Sequence, residues 1–192
     1  EGLKGMKEDG NIRSITVIVN SANPVSMAFA DEEDYGVDAV LWVGSVGQTG
    51  LYALGDVLSG AVNPSGSLPD TWWKDNQLDP VQNNFGVYTY AGQEKYTYPA
   101  NANSYNHYVV YQEGVYLGYK YTETRYEDVV LGTPNAGNFQ YNNVVAYPFG
   151  YGLSYTNFAF SDMQVQKVGD GLKTEYQLTV TVTNTGDKAG KK

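Results

Sequence analysis

Twenty-one carboxylates, one histidine and no cysteine define the side-chain chemistry open to this 192-residue chain. The missing cysteines remove thiolate catalysis, disulfides and zinc sites of the cysteine type. The lone His107 removes any site built from several histidines and reads as a hydrogen-bonding residue of a loop. Carboxylates are therefore the groups to weigh. Glu113, set among tyrosines in Tyr111-Gln112-Glu113-Gly114, has two readings. It can move a proton, or it can tie down a tyrosine-rich loop through hydrogen bonds, and the second is preferred. The run Asp31-Glu32-Glu33-Asp34 has the oxygen donors of a calcium site, but nothing in its spacing brings them together, so a solvated helix end is the better reading. The turn Gly44-Ser45-Val46-Gly47-Gln48 follows a strand, where open parallel sheets bind ligands, so contact with a ligand at a rim is one reading of it. It lacks the Gly-x-Gly-x-x-Gly spacing of a dinucleotide site, and such turns mostly let a helix start.

Composition bounds the partners. A formal charge of −9 repels nucleic-acid phosphate, and the basic residues gather only in a short tail at Lys188, Lys191 and Lys192. No apolar run is long enough to cross a bilayer, and no secretory signal opens the chain. Neither nucleic acid nor membrane is an expected partner. At 42% hydrophobic and 17% charged residues the chain can build a core. Eighteen tyrosines point to ordered, hydrogen-bonding loops.

The elements that must position these residues read in three blocks. In the first, Ile15–Val19 and Val37–Val43 are short apolar runs, expected as parallel strands buried on both faces. Between them, Asn23 is expected to cap a brief helix with Pro24 at its first position, running through Met27 and Phe29. A second helix follows the glycine turn, with Thr49 as cap, Leu51, Leu54 and Leu58 on one face, and Ser59-Gly60 as its stop. Asn63-Pro64-Ser65-Gly66 makes a tight turn. From Asp75 to Val145 the periodicity fails, apart from a denser stretch at Tyr108–Tyr121 that fits helix or strand. In the last block Phe158, Phe160, Tyr176, Leu178, Val180 and Val182 alternate with polar residues, as in half-buried antiparallel strands, around a turn at Gly169-Asp170-Gly171. The expected fold class is α/β, with residues 1–156 as the C-terminal part of a mostly parallel sandwich and residues 157–192 as the start of a β-sandwich. The Glu1 start, the partial sheet and the two-strand sandwich suggest an open reading frame that extends past both ends.

Four strings in order carry a family resemblance. They are Val37–Gly44 with Gly47–Gly60 and Asn63–Pro69; Tyr111–Tyr121; Tyr147–Thr156; and Val180–Gly186. Together they resemble the C-terminal α/β domain of glycoside hydrolase family 3, running into the fibronectin type III-like domain that follows it in many members. Lys120 stands where the family often has arginine, and the tyrosine-rich stretch 85–110 is longer than in many members.

The resemblance implies a retaining, exo-acting β-glycosidase, β-glucosidase ahead of β-xylosidase or β-N-acetylglucosaminidase, that uses two carboxyl groups and no cofactor. In the family the nucleophilic aspartate lies on an N-terminal (β/α)₈ barrel, and the acid/base glutamate lies some tens of residues before the strand matching Ile15–Val19. Both positions fall upstream of Glu1, so no residue here is assigned a catalytic, substrate-binding or metal-binding role. The implied partners are an oligosaccharide or β-glucoside substrate and the barrel domain against which this region packs. Two other classes fit the residues: a non-catalytic carbohydrate-binding or scaffold module, and a flavodoxin-like ligand-binding domain.

Overall fold

The computed structural model describes residues 2–86, 88, 89, 91 and 107–192. The tyrosine-rich stretch 85–110 lies largely outside the described residues, and so does the side chain of His107 with the role expected of it. In chain order the helices are α1 (Gly2–Glu8), α2 (Ala28–Asp31), α3 (Gly50–Leu58), α4 (Pro80–Asn84), α5 (Tyr119–Leu131) and α6 (Tyr141–Val144). The strands are β1 (Thr16–Val19), β2 (Ala39–Trp42), β3 (Trp72–Trp73), β4 (Tyr88–Thr89), β5 (His107–Tyr108), β6 (Val145–Tyr147), β7 (Phe158–Val168) and β8 (Glu175–Asn184). Among the described residues they form four two-stranded sheets, β1-β2, β3-β6, β4-β5 and β7-β8. The first is parallel and the others antiparallel. The chain divides into two compact units, residues 1–45 with 69–150, and residues 46–68 with 151–192.

In the first unit β1 and β2 pair from Thr16 with Ala39 to Val19 with Trp42, the parallel register expected of the two apolar runs. Lys7 fixes where that pairing begins. Its ammonium donates to Gly36 O at 3.0 Å and to Asp38 at 2.6 Å, and the other Asp38 oxygen accepts from Ile15 N at 2.8 Å. The Lys7 hydrogen bond, followed by the Ile15 N–H, holds the Asp38 carboxyl below the ordinary aspartate range. The strands are not buried on both faces as expected. Val19 is buried but Ile18 is 41% exposed, so a continuous apolar run here covers a half-packed strand.

The expected helix at Asn23-Pro24 is also corrected. The Ser21 hydroxyl bonds both ends of Asn23, Pro24 O accepts from the Asn76 amide, and helix begins only at Ala28. The competing force is tertiary. Met27 N and Ala28 N donate to Trp73 O and Lys74 O, which keeps the preceding chain from coiling. The core of this unit is built from Ile15, Val19, Met27, Trp72, Trp73 and Val145, with Thr71 and Thr122 wholly buried beside them.

The region from Asp75 to Val145 holds more regular structure than its aperiodic sequence suggests. Its main element is α5, thirteen residues long, ended by Gly132 in the left-handed conformation at φ 65°. Of the stretch Tyr108–Tyr121, Tyr108 is strand and Tyr119–Tyr121 is the first turn of α5.

In the second unit α3 starts after Thr49, whose side chain makes no capping bond, and Leu51 and Leu58 are exposed, contrary to both expectations. It stops where expected: Ser59 N and Gly60 N bond back to Gly55 O and Val57 O. β7 and β8 pair from Phe158 with Asn184 to Val168 with Glu175. The register shifts between Ser161 and Gln164, where Asp162 takes φ 54° and the ladder is locally interrupted. Both strands are exposed over nearly their whole length, so the alternation marks a face that nothing described here buries. Asn63 ties the tight turn to the chain after Tyr151. Its side-chain oxygen accepts from Ser154 Oγ and Tyr155 N, both at 2.8 Å, and its amide donates to Ala189 O at 2.9 Å. Leu68 N donates to Tyr151 O at 2.8 Å.

That approach leaves no room at Gly152, where a Cβ would overlap Gly66 O. Gly66 itself has open space around it. Gly152→Ala is therefore expected to lower stability by about 1–3 kcal/mol, while Gly66→Ala changes it by less than about 0.5 kcal/mol. Denaturant midpoints of the two variants decide the point, and equal midpoints would refute the close approach.

Candidate functional site

One carboxylate of the first unit joins the chain before β3 to the start of α5. Asp70 Oδ1 accepts from Thr71 N at 2.8 Å and from Tyr119 N at 3.0 Å. Tyr119 can come this close because Gly118 precedes it. Gly118 takes φ 56°, and a Cβ on it would lie 2.7 Å from Asp70 Oδ1. One turn further on, the hydroxyls of Thr71 and Thr122 bond at 3.0 Å, both fully buried. Tyr119 stacks on Phe149, with ring centroids 4.0 Å apart and planes at 19°. The string around Glu113 and Tyr119 is thus joined to the string around Phe149.

Asp79 caps α4, accepting from Val81 N at 3.0 Å with Pro80 at the first helical position. Burial pushes its carboxyl above the ordinary aspartate range, the Val81 N–H works against that, and the charges of Asp70 and Glu113 push it further up. Asp79 therefore feels two other carboxylates. Among the described residues the ion pairs are Lys4–Glu8, Lys7–Asp38 and Arg125–Asp128, none of which reaches them. Glu113 Oε2 is buried and accepts no hydrogen bond, so this oxygen does not tie down the tyrosine loop as expected. Among the described residues no three histidine or acidic side chains are arranged to hold a metal.

The other candidates do not join this cluster. Asp31 ends α2, and Glu32, Glu33 and Asp34 follow it on the surface, with Tyr35 N and Gly36 N bonded to the Glu32 and Glu33 carbonyls. Gly44 turns at φ 56° beneath the Trp42 ring, which crosses Trp72 edge-on at 5.4 Å and donates from Nε1 to Ser21 O at 2.7 Å. Gly47 is also left-handed, at φ 65°. Sequence reasoning missed Asp70, whose partners lie 49 residues away and carry no local signal.

The raised Asp79 carboxyl sets a sign that can be measured. A carboxyl with a folded-state pKa above its unfolded value contributes stability that is complete below the ordinary aspartate pKa and is lost as pH rises through the folded value. Asp79→Asn keeps a side-chain oxygen for Val81 N and removes the buried charge. The variant is expected to be more stable than the parent at neutral pH, with the gap closing toward about pH 3. Urea midpoints across that range test it; a gap that widens on acidification would reverse the assignment.

With this geometry in hand, the chain can be set beside known proteins. Residues 6–119 match the family model described as the glycosyl hydrolase family 3 C-terminal domain. A β-glucosidase of Ruminococcus albus is 32% identical over 182 residues, which is 94% of this chain and 15% of that protein. An exo-α-(1→6)-L-arabinopyranosidase of Bifidobacterium longum is 31% identical over 175 residues, 91% of this chain and 18% of that one. The crystal structure of a β-glucosidase from Paenibacillus barengoltzii superposes with a TM-score of 0.67 at 30% identity, covering 96% of this chain and 16% of that one. The chain thus spans less than a fifth of the length of each of these relatives. It belongs to glycosyl hydrolase family 3, in the C-terminal domain of that family.

Proposed function

We propose that this chain is the C-terminal part of a retaining, exo-acting β-glycosidase, most simply a β-glucosidase. The observation that carries the reading is the match of residues 6–119 to the family's C-terminal domain. Relatives named as β-glucosidases support it at about a third identity across nearly the whole chain. Residues 1–156 are read as the C-terminal part of the α/β sandwich domain, and residues 157–192 as the opening of a fibronectin type III-like domain. The antiparallel β7-β8 register supports the second assignment.

Retaining hydrolysis needs a nucleophile and an acid/base about 5–5.5 Å apart on either side of the glycosidic bond. We assign neither to this chain and place both upstream of Glu1. Two of the carboxylates near the start of α5 are already engaged: Asp70 holds two backbone N–H groups and Asp79 caps a helix. The role proposed for this part is to pack against a (β/α)₈ barrel and complete the enzyme around a neutral sugar. No cofactor enters the reaction.

The full-length gene product is expected to hydrolyse 4-nitrophenyl β-D-glucopyranoside with retention of anomeric configuration, followed by proton NMR of the first-formed anomer. Residues 1–192 alone are expected to be inactive. Turnover by the fragment that disappears in Glu113→Gln would place the acid/base group here. An inactive full-length protein that still binds glucan would favour a carbohydrate-binding scaffold.

A further inference from the structure

The segment from the middle of α5 to α6 lies beyond the residues that match the family domain, which end at 119. Its sequence is held rigidly. Arg125 donates from both guanidinium nitrogens to Asn135 O and Ala136 O and lies 5.2 Å over the Phe139 ring. Phe139 meets Tyr121 edge-on at 6.5 Å, Thr133 bonds Asp128 at 2.6 Å, and Tyr141 Oη donates to Glu123 at 2.7 Å. The elbow between α5 and α6 is therefore a fixed turn on the surface.

An open cleft of about 420 Å³ lies in it, within the size of small-ligand sites. Tyr126, Val129 and Phe139 give it apolar walls, and Gln140, Asn142 and Asn143 give it amides. The amides are arranged rather than scattered. Asn143 Nδ2 donates to Gln140 Oε1 at 2.5 Å, which leaves the Gln140 amide N–H groups and the Asn143 carbonyl oxygen for a ligand. A donor beside an acceptor at one spot matches a vicinal diol, whose hydroxyls both give and take hydrogen bonds. Tyr126 is half exposed and crosses Tyr141 at 5.0 Å, so its position is set while part of its ring faces out. No lining residue is charged. The neighbouring cation, Arg125, is already committed to the two carbonyls and the Phe139 ring, so nothing here matches a phosphate or carboxylate ligand.

We infer that the α5–α6 elbow is a binding subsite for a neutral saccharide, with Gln140 and Asn143 gripping a diol and Tyr126 flanking the ring. The inference deepens the carbohydrate reading above and rests on it for the choice of ligand. It is tested on the full-length gene product by affinity gel electrophoresis through hydroxyethyl cellulose, with 4-nitrophenyl β-glucoside hydrolysis measured in parallel. The protein is expected to be retarded by the polymer. Gln140→Ala and Asn143→Ala should each weaken retardation about tenfold, as loss of a ligand hydrogen bond does, with the urea unfolding midpoint unchanged. Both residues are exposed, and Gln140→Glu keeps the size while placing a charge in the cleft, so it should weaken retardation as well. Hydrolysis without retardation, or retardation equal in parent and variants, overturns the subsite. Retardation that the variants lose, in a protein that does not hydrolyse the glucoside, upholds the subsite and sinks the enzymatic reading.

Discussion

The first unit depends on one carboxylate. Asp70 accepts the N–H of its own neighbour Thr71 and that of Tyr119, and so closes a loop of 49 residues. Closing such a loop costs on the order of 3 kcal/mol in chain entropy. The charge-assisted hydrogen bond that spans the loop, from Tyr119 N, returns about 1.5–3 kcal/mol of that, and the buried Thr71–Thr122 bond between the same two segments adds to it. The contact also fixes direction. Tyr119 is the first residue of α5, so anchoring its N–H satisfies a group that the helix start would otherwise leave unpaired. From there the Thr71–Thr122 bond and the Tyr119–Phe149 stack follow, because their positions on α5 are set once its first residue is placed.

The same anchor has an electrostatic cost. It holds a negative group near Asp79, on which Glu113 also acts, and none of the three forms an ion pair among the described residues. Asp79 bears that cost, together with its own desolvation, as a raised pKa. It is retained because the same side chain satisfies Val81 N at the start of α4. Local capping and long-range repulsion act on one residue in opposite directions, and burial decides the net sign.

How much of this could be read from the sequence follows from the range of each interaction. The parallel pairing of β1 with β2 and the hairpin β7-β8 were legible because strand periodicity and turn residues are local signals. The stop of α3 at Ser59-Gly60 was legible for the same reason. Helix α5 was not, since tyrosine, threonine, arginine and glutamate cover every side of it and only Thr122 is buried. The signal available was at its end, where Gly132-Thr133-Pro134 forms a helix stop. The start of α2 was misread because the bonds from Met27 and Ala28 to the chain after Trp72 override a good local cap at Asn23. Asp70, the anchor of the site, has no sequence signal except through its distant partner Gly118-Tyr119.

These placements bear on where chemistry can occur. A carboxyl that donates a proton to a glycosidic oxygen must present a free oxygen to the sugar in a pocket that tunes its pKa. Asp70 directs Oδ1 at two backbone N–H groups, and Asp79 directs an oxygen at Val81 N. Glu113 buries Oε2 without a partner. The cleft at the α5–α6 elbow contains none of the three. Asp70, Asp79 and Glu113 are thus bound into the scaffold side of this unit, while the residues that face the open cleft are neutral.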